Sequence, residues 1–277
     1  MTEFIDVPGG RIAYEVTGSG PLVVLSHGIG DRRQVYRFLA PILAQTGYRV
    51  ANADLRGHGE SSMGWASITR TDIAGDLLAL IDHLGGPAVI VGHSISGGAA
   101  TITSATRPEQ VTGVVEINPF TRKQSVDLGA FLRIRRYRRG ISLLTGTQVF
   151  HSLGLWLRYL DLAYPAKPGD YAGYMAALAA KLREPGRMAE FIKTFESKPA
   201  DASAELPNIK CSALVIMGTL DPDFADPQAE GDAVIAAMPA GAGTVAMIDG
   251  AGHYPHAQSS DAVAELVIPF LKEHAGV

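Results

Sequence analysis

Residues 88–98 read AVIVGHSISGG: a short apolar run, a Gly-His pair, Ser94, and then Ser96-Gly97-Gly98 opening a stretch of small residues. A β-branched run that gives way to small residues predicts a buried strand turning sharply into a helix, with Ser94 on the turn. Such a turn crowds the residues two positions to either side, and both Gly92 and Ser96 are small. Gly97 and Gly98 let the helix pack close, and its N-terminus offers free backbone N–H groups and a positive dipole end beside the serine hydroxyl. A glycine-rich turn without chemistry would look the same locally, so the rest of the chain has to decide.

Around this segment, Leu22–Ser26, Val50–Asp54, Val114–Asn118, Ala213–Gly218 and Thr244–Ile248 form further short, nearly continuous apolar runs. Strands of that kind are buried on both faces, as in parallel sheets. Between them, Ile73, Leu77, Leu80, Ile81 and Leu84 recur at helical spacing behind a cap at Thr69 or Thr71, and Asp226-Pro227 reads as a cap with a first-turn proline. A final helix carries Val263, Leu266, Val267, Phe270 and Leu271, with Pro269 placed to kink it. Phe4–Val7 and Arg11–Thr17 flank Pro8-Gly9-Gly10 as an antiparallel hairpin at the sheet edge. The alternation specifies an α/β fold with a doubly wound, mostly parallel sheet. Residues 120–206 interrupt it with helical patterning and no clear strand, and are expected to form a helical cap inserted into a core of 1–119 and 207–277.

Composition excludes several classes. The 277 residues are 47% hydrophobic and 19% charged with a formal net charge of −4, an ordinary globular balance without disorder, long repeats or zinc-ligand spacing. The single Cys211 has no partner within the chain and is expected as a small buried hydrophobe in a reducing compartment. The acidic, apolar-poor start MTEFIDVPGG lacks a secretory pattern, so a cytoplasmic location is expected. The uncharged run Leu84–Thr106 contains five glycines and Pro87, which argues against a transmembrane span. Charge is segregated: residues 120–200 carry 14 Lys plus Arg against 6 Asp plus Glu. Arg133, Arg135, Arg136, Arg138 and Arg139 surround a stripe of Ala130, Ile134, Tyr137, Ile141 and Leu144. That cluster is expected as a solvated helix face packed on the sheet domain, the other reading being attraction of an anionic substrate, carrier or membrane surface. Nucleic acid is not expected, because the chain is mildly acidic and no binding motif accompanies the patch.

Downstream of Ser94, in chain order, an acid and a histidine follow two further strand ends: Asp221 in GTLDPDF and His253 in GAGHYPH. A serine hydroxyl is a weak nucleophile at neutral pH, so it needs a base within reach, and that base needs an anion to hold its tautomer and stabilise imidazolium. Ser94, His253 and Asp221 supply those parts. Asp223 competes for the acid's place and His256 for the base's, but Asp221 directly follows the strand-end GTL and His253 lies nearer its strand in the Gly250-Ala251-Gly252 turn. His93 is expected to pack beneath the turn. The run Ser26-His27-Gly28-Ile29-Gly30 places a backbone N–H near the same point. The Ile29 and Ile95 amides would form a two-donor oxyanion hole, in which losing one donor typically costs about 3 to 4 kcal/mol of barrier stabilisation.

These landmarks, with DLRGHGESS at 54–62, resemble the α/β-hydrolase fold family over essentially the whole chain. The resemblance implies an eight-stranded sheet with a cap inserted after the sixth strand, and places Asp54, Arg56 and His58 in a structural loop below the site. It implies cleavage of an ester, lactone or thioester through an acyl-enzyme, with no metal and no organic cofactor. The expected ligand is a small to medium apolar acyl compound, and the basic cluster allows it to be anionic. A serine at 94 sets the chain apart from the haloalkane dehalogenase and epoxide hydrolase branches, which use a carboxylate there. Ser96 departs from the usual glycine and is small enough to fit. Two alternatives stay open: a ligand sensor with little turnover, as in the plant hormone receptors of this fold, or a lyase, perhydrolase, haloperoxidase or acyltransferase using the same residues. Trp156, Tyr159 and Tyr174 are expected mainly to pack within the cap.

Overall fold

The computed structural model describes residues 1–123 and 125–275. Its strands are β1 (Glu3–Val7), β2 (Gly10–Thr17), β3 (Leu22–Ser26), β4 (Arg49–Ala53), β5 (Ala88–His93), β6 (Val111–Ile117), β7 (Ser212–Gly218) and β8 (Gly243–Ile248). They form one eight-stranded sheet in the order β1-β2-β4-β3-β5-β6-β7-β8. The β1–β2 and β2–β4 pairs are antiparallel and the rest are parallel. The edge hairpin, the parallel centre and the count of eight agree with the reading of the sequence.

Successive side chains of a strand point to opposite faces, so a continuous apolar run feeds two cores. Val24, Ile90 and Val114 enter one hydrophobic cluster, while Val23, Leu25, Val89, Val91, Val115 and Ile117 enter the other. The first is covered by α2 (Arg70–His83) and α3 (Ile95–Thr106), the second by α1 (Leu39–Gln45) and α12 (Ser260–His274). Thr69 and Asp72 close a reciprocal capping box at α2: Asp72 Oδ2 accepts from the Thr69 N–H at 2.8 Å and Thr69 Oγ1 from the Asp72 N–H at 3.1 Å. Asp226 caps α10 (Pro227–Ala236) through the Ala229 N–H, and Pro269 sits inside α12. Two expectations need correcting. Most of β8 is only partly buried, because it is the sheet edge. Cys211 is partly exposed just before β7, and its thiol is pushed up to about 11 by burial.

Between β6 and β7 the described residues contain helices and no strand: α4 (Leu128–Arg133), α5 (Arg135–Phe150), α6 (Leu153–Ala163), α7 (Tyr171–Leu182), α8 (Arg187–Lys193) and α9 (Ala200–Glu205). The basic stripe is two helices rather than one, broken where Ile134 turns extended at φ −98° and ψ 102°. α11 (Pro255–Gln258) completes the set. Among the described residues no helix is long and apolar enough to cross a membrane.

Candidate active site

Ser94 stands between β5 and α3 with φ 56° and ψ −118°, a conformation unfavourable for a side-chain-bearing residue. Its neighbours explain how it is held. A Cβ on Gly92 would lie 2.3 Å from the Ser96 carbonyl oxygen, so only glycine fits there. The Ser94 N–H donates to Ile117 O at 3.0 Å, and Ser94 O accepts from the Gly97 and Phe120 N–H groups. These bonds clamp the turn between two strand ends and the start of the helical segment that follows β6.

His253 and Asp221 meet opposite this turn. His253 Nδ1 lies 2.7 Å from Asp221 Oδ2 and 3.5 Å from Asp223 Oδ2, with all three side chains buried. Burial disfavours a charged imidazolium, but the attraction of Asp221 and Asp223 outweighs it and holds His253 above its ordinary pKa. Asp223 is pushed up to about 7, first by burial and then by the like charge of Asp221, against the pull of His253 and a 2.7 Å hydrogen bond from the Tyr159 hydroxyl. The two acids therefore differ in place: Asp221 makes the short bond to the ring from behind it, whereas Asp223, held by the Tyr159 hydroxyl, belongs to the cavity wall and is pushed toward its protonated form. Together with His253 they form a group whose ligand atoms lie within 4.8 Å of one another. These donors are directed at each other and at Tyr159, and that hydrogen-bonded network accounts for their closeness.

His256 lies elsewhere, packed between the rings of Tyr36 and His93 and lowered to about 3 by burial and the charge of His253. His93 is wholly buried beneath the turn, its Nε2 2.8 Å from His253 O, so it props the loop that carries His253.

The loop after β3 is fixed by two further buried histidines. His58 Nε2 accepts from the Gly30 N–H at 3.1 Å while Nδ1 faces Arg56 O at 2.9 Å, and His27 Nε2 accepts from the Leu55 N–H at 3.0 Å. Accepting at Nε2 requires the neutral ring, and burial lowers both pKa values, that of His58 to about 4. Asp54 holds the Arg33 guanidinium and Arg56 pairs with Asp76 at 2.7 Å, so this loop is scaffolding. Ser96 bridges the two regions: its hydroxyl donates to His27 O at 2.6 Å and accepts from Ser26 Oγ at 2.9 Å, contacts that glycine would lack.

A cavity of about 300 Å³ opens over these residues, lined by Ser94, Ile29, Ile95 and His253, with Phe120, Ile141, Leu144, Trp156 and Phe195 among its apolar walls. Asp221 is not in its wall; it stands behind His253. Among the described residues the side-chain hydrogen bonds of the site join His253 to Asp221 and none joins Ser94 Oγ to His253, although both residues line the cavity. Trp156 and Tyr159, on α6, do more than pack among the helices between β6 and β7, since both line the cavity and Trp156 Nε1 donates to Gly30 O at 3.1 Å. Tyr174 also reaches across, donating to the buried Asp31 carboxylate.

Reading the sequence missed four residues that shape the site. Asn118, in the left-handed region at φ 42°, accepts from the Gly218 N–H at 2.8 Å and donates to Gly252 O at 3.0 Å, tying the acid and histidine loops together. Its only sequence signal is an Asn-Pro pair at a strand end. Arg136 is not solvated with its arginine neighbours: Nε donates to Asp221 O and Nη2 to Phe224 O, each at 2.8 Å. Gly140, one turn later, allows the close approach, because a Cβ there would lie 2.5 Å from Pro222 O. Arg70 enters the cavity wall from the start of α2.

The chain is 35% identical over 129 residues to the dihydrolipoyllysine-residue acetyltransferase component of the acetoin cleaving system of Cupriavidus necator, covering 46% of this chain and 34% of that protein. It is 32% identical over 166 residues to 2-(acetamidomethylene)succinate hydrolase of Mesorhizobium japonicum, covering 58% of this chain and 56% of that protein. The chain thus spans about a third to just over half the length of these relatives. The solved structure of a thermophilic esterase from Thermogutta terrifontis superposes with a TM-score of 0.75 at 23% identity, covering 99% of this chain and 98% of that one, a likeness of fold. The profile of the Alpha/beta hydrolase family matches residues 23–266, and the chain belongs to that family.

Proposed function

We propose that this protein is a serine hydrolase that cleaves a carboxylic ester, lactone or thioester of a small to medium acyl group. The observation that carries this reading is the convergence on one cavity of a strained, partly apolar-walled Ser94 and a His253 whose far ring nitrogen is hydrogen-bonded to Asp221 at 2.7 Å. Ser94 Oγ attacks the acyl carbon while His253 Nε2 takes its proton, and Asp221 holds Nδ1–H and stabilises the imidazolium. The Ile29 and Ile95 N–H groups receive the developing oxyanion; His58 occupies the neighbouring Gly30 N–H, which leaves Ile29 as the donor from that loop. His253 then returns the proton to the leaving group, and water repeats the sequence to release the acid. Residues 120–206 act as a cap that supplies the apolar wall, with residues 1–119 and 207–277 as the core.

Labelling with a fluorophosphonate tests the reading directly. Wild type is expected to label stoichiometrically and to turn over chromogenic esters, and Ser94→Ala to do neither. Labelling that persists in Ser94→Ala, or a wild type that neither labels nor turns over esters, lactones or thioesters, overturns it.

A further inference from the structure

Arg70 is 5% exposed, yet it belongs to the wall of the cavity that holds Ser94 and His253. Among the described residues its side-chain hydrogen bonds go to neutral acceptors: Nε to Phe120 O at 2.8 Å, and Nη1 to Ser197 O at 3.1 Å and Ser197 Oγ at 2.8 Å. Nη2 makes none of these bonds. A Cβ on Gly98 would lie 2.7 Å from Arg70 Cδ, so a glycine in α3 makes room for the side chain to cross toward the cavity. The carboxylate that Arg70 feels is that of Asp201 at the start of α9, which is itself held by Thr71 Oγ1 at 3.0 Å; among the described residues no carboxylate lies within salt-bridge distance of the guanidinium. The other buried arginines differ: Arg33 pairs with Asp54, Arg56 with Asp76 and Arg187 with Glu184. Burial lowers Arg70 to about 10, opposed by Asp201, so it remains cationic at neutral pH.

A buried cation without a counter-charge is costly, and a ligand that brings the missing anion recovers that cost on binding. From this geometry we infer that Arg70 is a specificity-determining residue that binds a carboxylate on the acyl side of the substrate, making the preferred substrate an ester, lactone or thioester of a dicarboxylic acid. This deepens the hydrolase reading and rests on it. The cavity is small and most of its wall area is apolar; Asp223, the acid in that wall, is engaged by the Tyr159 hydroxyl and lies beside His253, and a short methylene chain between the scissile carbonyl at Ser94 and the carboxylate at Arg70 suits the rest. A planar guanidinium whose Nη2 has no hydrogen-bond partner among the described residues can meet such a carboxylate directly.

The test compares 4-nitrophenyl hydrogen esters of succinate, glutarate, adipate and pimelate with their methyl diesters in wild type, Arg70→Gln and Arg70→Lys. The readout is the ratio of kcat/KM for the anionic and the neutral member at each length, which is insensitive to partial folding and to general damage at the site. A charge-assisted hydrogen bond of the usual strength predicts a ratio of about 10 to 100 at the best length in wild type. It should fall to about one in Arg70→Gln, keep an intermediate value in Arg70→Lys, and survive 0.5 M salt because the group is buried. A wild-type ratio near one at every length, or a ratio unchanged in Arg70→Gln, overturns the inference and leaves Arg70 as a structural tie between Phe120 and Ser197. Calorimetric binding of adipate against neutral adipamide to wild type and Arg70→Gln decides the anion site without turnover. Failure of the hydrolase reading shows separately, as absent labelling and absent cleavage of both esters. If Arg70→Gln does not fold, binding of adipate and adipamide to wild type with equal affinity still refutes the proposal.

Discussion

Replacing Asp223 by Asn removes a buried titratable group whose folded pKa stands at about 7 against 3.8 for the free carboxyl. Between those two values the native state holds a proton that the unfolded state has released, so the group's contribution to stability falls as pH rises through the window. From pH 5 to its end near pH 7 is about two pH units, or roughly 2 to 3 kcal/mol of stability at about 1.4 kcal/mol per unit. Asn keeps an acceptor for the Tyr159 hydroxyl but cannot ionise, so this loss disappears from its curve. Urea unfolding of wild type and Asp223→Asn at half-unit steps from pH 5 to 8 should show the variant gaining on wild type by that amount as pH rises, whatever the offset at pH 5. His253 titrates in the same cluster, 3.5 Å away, so the change belongs to the pair and is spread over more than one unit. A difference between the two proteins that stays constant across the range would refute the argument that burial, with Asp221 beside it, keeps Asp223 protonated.

The same cluster governs catalysis and loop order. Asp221→Asn, which loses the anion of the 2.7 Å bond, is expected to lower kcat by about 10³ to 10⁴, and Asp223→Asn by much less; equal losses measured on one chromogenic ester would show that the two acids act interchangeably. Because His253 must be neutral to accept the Ser94 proton and its pKa is raised above 6.5, kcat/KM should climb with pH through a midpoint above that value and shift lower in Asp223→Asn. A midpoint at or below 6.5 in wild type contradicts the raised pKa. Arg136→Ala removes two bonds to the acid loop and is expected to cost about 1 to 3 kcal/mol in thermal or urea unfolding, together with a fall in kcat, whereas the exposed Arg135→Ala should cost under about 0.5 kcal/mol. Equal effects would show that Arg136 is a surface charge like its neighbour.

What the sequence determined about this protein is what local pattern carries. Apolar runs of strand length, their alternation with helical spacing, the Thr69–Asp72 cap, the glycines on either side of Ser94 and the placement of Asp221 and His253 after strand ends all follow from residues within a few positions of each other. Strand parity and turn sterics act over that range, which is why the sheet and the turn at Ser94 were legible. The tertiary structure alone decided which charges meet. Asp221 and Asp223 are two residues apart, and only packing shows one at 2.7 Å from His253 and the other under the Tyr159 hydroxyl. Arg136 reaches Asp221 across 85 positions and Arg70 reaches Ser197 across 127, while Arg135 stays in solvent. An arginine's sequence neighbours do not say whether its charge is paired, solvated or left for a ligand; that depends on what the fold brings within a few ångströms of the guanidinium and on how much water it removes.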